Sequence, residues 1–166
     1  MHLMKPVSSL FITAFRKFDI GIGILNVITG VVMIVISWNL SSVPLTITNI
    51  LGYLFFTLIG SIVTFPILLI PVTFSFWMIK SDSLMDIVWA MWDFNNMPMN
   101  IYNKIIKTIG VFVLPIFLLT NFAPMFVLGI LPKLYMIYAI ISVPLFLGIA
   151  ILFWNFAVKR YSSASS

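Results

Sequence analysis

The sequence predicts an all-helical integral membrane protein, and three observations carry that reading. Apolar residues fill 62% of the 166 positions and charged residues only 8%, so too little polar surface exists to cover a water-soluble core of this size. The charges are segregated, with none between Asp19 and Lys80. Several uncharged runs also reach the roughly 20 residues that a helix needs to cross a bilayer. The expected architecture is one membrane domain over residues 1–166. It holds about four transmembrane helices, two cytoplasmic interfacial helices and a re-entrant segment.

The elements follow in order. Within MKPVSSLFITAFRKFD, the residues Val7, Leu10, Phe11, Ala14, Phe15 and Phe18 recur at helical spacing and make one face apolar, while Ser9, Thr13, Arg16 and Lys17 lie elsewhere. Pro6 with Ser8 and Ser9 starts that helix. Segment 20–38 is a full-length span closed by Trp38 and Asn39. A cleaved secretion signal would have a shorter apolar core ending at small residues. Segment 50–79 is too long for one upright helix, so it must tilt, kink at Pro66 and Pro71, or begin outside the bilayer. Trp77 and Lys80 mark its exit.

Residues 80–107 form the longest polar-rich stretch and are expected as a cytoplasmic loop with an interfacial helix. Leu84, Ile87, Val88 and Met91 would form its apolar stripe, with Trp89 and Trp92 at headgroup level. Asp82, Asp86 and Asp93 fall in one opposite sector. They suit either a hard-cation site or a solvated face, and the absence of EF-hand spacing favours the solvated face. Segment 108–132 is interrupted by Pro115 and by TNFAP at 120–124. A break is expected near Thr120–Pro124, followed by a short re-entrant or interfacial helix from Met125 to Leu131, because lipid cannot satisfy a freed backbone. The last span, 134–158, carries Tyr135 and Trp154 near its ends.

Orientation follows from the cations. Lys5, Arg16, Lys17, Lys80, Lys104, Lys107, Lys159 and Arg160 fall on one side of the four expected spans, and only Lys133 on the other. The positive-inside bias then places both termini and 80–107 in the cytoplasm. The same cations, beside apolar runs, read as topology signals and leave no phosphate-binding patch for nucleic acid.

Catalytic material is scarce. The chain has no Cys, no Glu, a single His at position 2 and no GxxxxGK phosphate loop. Gly21 and Gly23 lack the third glycine and the strand of a dinucleotide site and read as helix packing. The spans hold no ionisable residue for a proton relay. Their polar residues, among them Asn26, Thr29, Ser61, Thr64, Thr73 and Asn121, suit hydrogen bonds between helices. No catalytic, cofactor or metal residue is assigned. If the chain moves anything, another polypeptide supplies the energy.

The run MKPVSSLFITAFRKFDIGIG resembles the cytoplasmic segment of a bacterial ATP-binding-cassette (ABC) transporter permease family of the type 2 exporter class. MPMNIYNKIIKTIGVFVLPIFLLTNFAPMFVLG and the terminal KRYSSASS are similar to later parts of the same family. Met97, Ser9 and Ala123 depart from its pattern, where an aromatic, a proline and a different order before Pro124 are common. The resemblance implies a permease subunit that forms the translocation path and binds a cytoplasmic ABC ATPase. That partner would hold the ATP and Mg, and this chain no cofactor. It further implies pairing with a second copy or a paralogous permease, and a multi-pass place in the bacterial plasma membrane. Residues 1–19 would be the coupling segment, with Phe11, Phe15 and Phe18 in a partner groove and Arg16 and Lys17 at its rim. An interfacial helix resting on anionic lipid is the competing reading of that stretch.

Six spans are expected of the family and four are found here, so the chain resembles the C-terminal two thirds of a permease. Two further spans with loops would need roughly 60 to 90 residues upstream, at about 20 residues per span. A small membrane immunity or accessory protein that binds a toxin or partner and transports nothing is the alternative function.

Overall fold

The computed structural model describes residues 20–74, 76–77 and 82–164. All regular structure among them is helical, and three helices are long and apolar enough to cross a membrane. The chain divides into two units at Pro44 and Leu45.

The first unit contributes α1, Ile20–Leu40. At 1.5 Å per residue its 21 residues span about 32 Å, the thickness of a bilayer's hydrocarbon core. It ends two residues beyond the expected boundary, where a local network takes up the last turn. Asn39 Nδ2 donates to Val35 O at 3.0 Å, Ser41 N to Ser37 O at 2.9 Å, and Trp38 Nε1 to Val43 O at 3.1 Å. Ser42 turns the chain with φ of 55°.

The second unit is built on α2, Ile47–Phe74, which begins three residues before the expected start. Thr46 caps it: its Oγ1 accepts from Asn49 N and its carbonyl from Ile50 N. The helix runs through Pro66 and Pro71 without a break, and Pro66 is fully buried. It packs against α7, Lys133–Ala164, and its buried residues include Phe56, Gly60, Val63 and Ile67. Ala139, Ser142, Ala150 and Ala157 of α7 are fully buried, so small side chains let the two helices approach closely.

These two helices run parallel. Near their starts, Leu51 and Phe55 share a groove with Met136 and Ile140. Near their ends, Phe74 meets Phe153 at 5.0 Å and Trp77 stacks on Phe153 at 5.6 Å. The residues between must therefore return to the level where α2 began. Helix α3, Asp82–Trp92, packs on α2, and with the 3₁₀ turns Asp93–Asn96 it covers about 24 Å. That matches the roughly 21 Å from Phe74 back to Gly60. The expected loop over 80–107 is thus largely helical, and its second half is built into the core. Val88 and Trp92 pack against that core, whereas Ile87, placed by sequence on the apolar stripe, is 57% exposed. An in-plane helix would bury one stripe in lipid; this one turns Leu84, Val88, Met91 and Trp92 inward and leaves Ile87 and Trp89 outside.

Segment 108–132 is not one helix. Helix α4, Lys104–Thr108, capped by the Asn103 side chain, continues as a π-turn over Ile109–Val113. The chain then bends at Leu114–Ile116, and α5, Phe117–Thr120, and α6, Phe122–Val127, follow. The chain leaves helical geometry at Leu114–Ile116, around Pro115, and a second, shorter interruption at Asn121 separates α5 from α6 inside the expected Thr120–Pro124. Pro115 has no N–H to donate, so Leu114 N reaches back to Ile109 O and Ile116 N closes a γ-turn on Leu114 O. Pro124 falls on the third position of α6, where no intrahelical donor is required, so the helix begins before it. It also ends earlier than Leu131. Gly129 at φ of 71° forms a Schellman cap, with Gly129 N donating to Phe126 O and Ile130 N to Met125 O.

Candidate functional site

The two arms around Pro115 fold back as a hairpin. Gly110 of the first arm faces the ring of Phe117 on the second, and Phe112 and Phe122 both lie against Tyr135 of α7, at 6.0 Å and 5.6 Å. The hairpin is held on one half of the helix pair. Gly52 of α2 receives the Phe126 ring, and Gly60 receives the backbone of Leu118 and Leu119; a Cβ at either position would collide. Glycine is used here for close approach. The second arm therefore lies along the first half of α2, with Phe126 at Gly52 and Leu118 and Leu119 at Gly60.

Polar chemistry concentrates where the hairpin meets residues 93–103. Asn121 is buried, and its Oδ1 accepts from Met99 N at 2.7 Å. Asn121 Nδ2 donates to Thr120 Oγ1 at 3.0 Å, and Thr120 Oγ1 donates to Asn95 Oδ1 at 2.9 Å. Tyr102 stacks on Phe117 at 5.5 Å and donates its hydroxyl to Phe94 O. A buried backbone N–H left without its acceptor costs ~1–3 kcal/mol, so Asn121 pins Met99 to the hairpin. The Nδ2 of Asn95 is buried with no partner among the described residues. Beside this joint lies a cavity of about 340 Å³, lined by Asn95, Asn100, Thr120, Asn121, Met125 and Leu128.

Residues 1–165 match the family described as ABC-2 family transporter protein. The chain belongs to the ABC-2 transporter family. It is accordingly a membrane permease component of an ABC transporter and not itself a catalyst. No curated protein and no solved structure matches it significantly.

Of the residues singled out by sequence, this ABC-2 permease brings Asn121 and Pro124 to the joint and places Pro115, fully buried, at the bend. Phe11, Phe15, Arg16, Lys17 and Phe18 lie outside the described residues. Asp86 and Asp93 are exposed, and no group of three metal-ligating side chains occurs among the described residues. Sequence reasoning missed Asn95, Met99 and Thr120 as members of one joint. The Asn95–Asn96 pair beside Pro98 was the available signal, a polar turn that a solvated loop would show equally.

The hydroxyls of the spans also behave differently from expectation. Thr29, Ser61, Thr64 and Thr73 donate to carbonyls four residues back in their own helices, at 2.7 to 2.9 Å. Among the span residues read as interhelical donors, Asn121 makes the long-range bond. At the far end of the pair, Trp77, Phe153 and Phe156 cluster, and the Arg160 guanidinium lies 4.7 Å from the Phe156 ring centre.

Proposed function

We propose that this permease is the membrane subunit of an ATP-driven exporter, forming the translocation path with a second permease copy or paralogue and binding a separate cytoplasmic ATPase. The match across residues 1–165 carries the reading, because it includes the N-terminal segment as well as the spans. ATP and Mg belong to the partner, whose hydrolysis rocks the permease between two states open to opposite sides. Residues 7–19 are the contact. Phe11, Phe15 and Phe18 enter the ATPase groove and Arg16 and Lys17 meet its rim. Burying a Phe is worth roughly 1.5–3 kcal/mol, so Phe11→Ala with Phe15→Ala should weaken the contact at least a hundredfold while membrane insertion survives. Pull-down of the ATPase from the complete transporter, with an export assay, checks this. Retained ATPase and normal export would sink the coupling assignment.

Both termini face the cytoplasm of a bacterial cell in this reading, and the α1–α2 turn and the hairpin open to the exterior. Lys104 and Lys107, expected from sequence on the cytoplasmic side, are moved outside in this reading with Lys133, because α3 and the turns at 93–96 lead the chain back toward the level where α2 began. Lys5, Arg16, Lys17, Lys80, Lys159 and Arg160 stay inside, so the cation bias keeps its sign, reduced from eight-to-one to six-to-three. An impermeant thiol reagent added outside intact cells should label Ser41→Cys and Lys104→Cys but not Ser83→Cys. Preferential labelling at position 83 would reverse the orientation.

A further inference from the structure

We propose that α1 is the contact between two copies of this chain, with the Asn26 amides of the two copies bonded to each other inside the membrane. The inference rests on the exporter reading's pair of permeases and names the face through which a second copy joins. An amide without a partner carries it. Asn26 stands six residues into α1, about 9 Å from its start and about 21 Å from its end, so its short side chain reaches neither headgroup layer. The side chain is exposed and makes no hydrogen bond among the described residues. Thr29 and Asn39 of the same helix settle theirs on carbonyls four residues back, at 2.9 and 3.0 Å. An amide left open to hydrocarbon is costly, so Asn26 needs a polar group from outside the helix.

A second copy supplies that group at the required depth. Two copies with one topology are related by a two-fold axis along the bilayer normal, so the helices run parallel and each residue meets its own equivalent at its own level. An amide both donates and accepts, and two of them close a reciprocal pair, each Nδ2 donating to the other Oδ1. The neighbouring residues let the backbones approach. Gly23, Asn26, Gly30, Met33, Ser37 and Leu40 recur at alternating spacings of three and four, a seam of period 3.5 that suits a left-handed pair. No two glycines of α1 stand four apart, the spacing of right-handed pairs. A Cβ at Gly23 or Gly30 would meet nothing within 4 Å, and no residue of 21–40 is buried, so the seam is open on both sides of the amide. Asn155 of α7 also exposes its amide, but it lies one turn before Lys159, close to headgroup level.

The chain has no Cys, so introduced thiols report on the contact directly. Single-Cys variants of the full chain are oxidised with copper phenanthroline in membranes of cells carrying the complete transporter and separated without reductant. Gly23→Cys, Asn26→Cys and Gly30→Cys should bridge two copies, whereas Ile24→Cys and Ile28→Cys, on the opposite side of α1, should not. With Ser37→Cys as the reporter, Asn26→Leu should lower the bridged fraction roughly threefold to tenfold, the effect of losing a hydrogen bond between helices. Asn26→Gln keeps an amide and should retain most of the bridge, while both variants insert normally. Equal bridging on both sides of α1, no bridging along the seam, or a Ser37→Cys yield that Asn26→Leu leaves unchanged would each overturn the pairing. So would a bridge from Asn26→Cys to Asn155→Cys in place of the symmetric one. None of these readouts involves ATP or cargo, so their failure leaves the exporter reading standing, and loss of that reading through the ATPase pull-down would leave the bridges in place.

Discussion

Helices α1 and α7 look alike as sequence and behave oppositely as structure. Both are long, uncharged through their centres and strongly apolar. Yet α1 exposes its large apolar side chains on every side, Leu25, Val27, Met33 and Ile36 among them, whereas α7 buries one face on which Ala139, Ser142, Ala150 and Ala157 alternate with Phe146 and Trp154. Hydropathy reports that a helix belongs in lipid. It does not report what the helix packs against, because lipid tails are as apolar as a neighbouring helix. The glycines locate the tight packing on α2: Gly148 of α7 has as much open space beside it as the glycines of α1. A Cβ at Gly23 or Gly30 of α1 would meet nothing within 4 Å, while one at Gly60 of the second unit would meet backbone.

The largest expected effect tests that contrast directly. Gly60→Val should displace the hairpin, because overpacking against backbone cannot be relieved by a rotamer change and costs about 1–3 kcal/mol or more. Gly30→Val in the isolated chain should leave stability unchanged. Thermal unfolding of the two variants in one detergent checks the pair, and equal losses would erase the difference between the units. A loss at Gly30 that appears only in the assembled transporter would instead locate a partner on α1.

Next in size is the joint itself. Asn121→Leu removes the acceptor for Met99 N, and the buried donor left behind should cost ~1–3 kcal/mol. Hydrogen exchange should then accelerate at Met99 and across 117–127 while α1 stays unchanged. The smallest effect belongs to the far end of α7. Arg160→Gln removes a cation over Phe156 at a half-open site and should cost about 0.5–1 kcal/mol, with Arg160→Lys retaining part of it. Unchanged exchange in the last turns of α7 for both variants would show that the ring contact contributes nothing.

Much of the fold was legible because it rests on local rules. Trp38 and Asn39 closed α1 nearly where the sequence placed its end, and Pro115 with Pro124 announced an interrupted segment. The errors came from contacts between segments. Pro124 sits in the first turn of a helix and is tolerated there, so the interruption inside Thr120–Pro124 is only the short step at Asn121, and the larger bend falls at Pro115, the other proline the sequence singled out. The joint stayed hidden because Asn95 and Thr120 meet across the fold, and each alone reads as an ordinary turn residue. The parallel course of α2 and α7 was equally invisible. Both helices are apolar around most of their circumference, so periodicity marks no facing stripe.

The slot at Gly52 has a consequence for how this chain can evolve. The Phe126 ring occupies the place where any side chain at position 52 would begin, so the two positions share one volume. A larger residue at 52 requires the ring at 126 to shrink or to swing toward the groove that both positions line, and a smaller residue at 126 gives up the contact with Gly52 until 52 grows. Each single step then costs more than the pair of steps taken together. Two sites far apart in the chain are thereby bound into one heritable unit, and their substitutions should be correlated wherever this hairpin is retained.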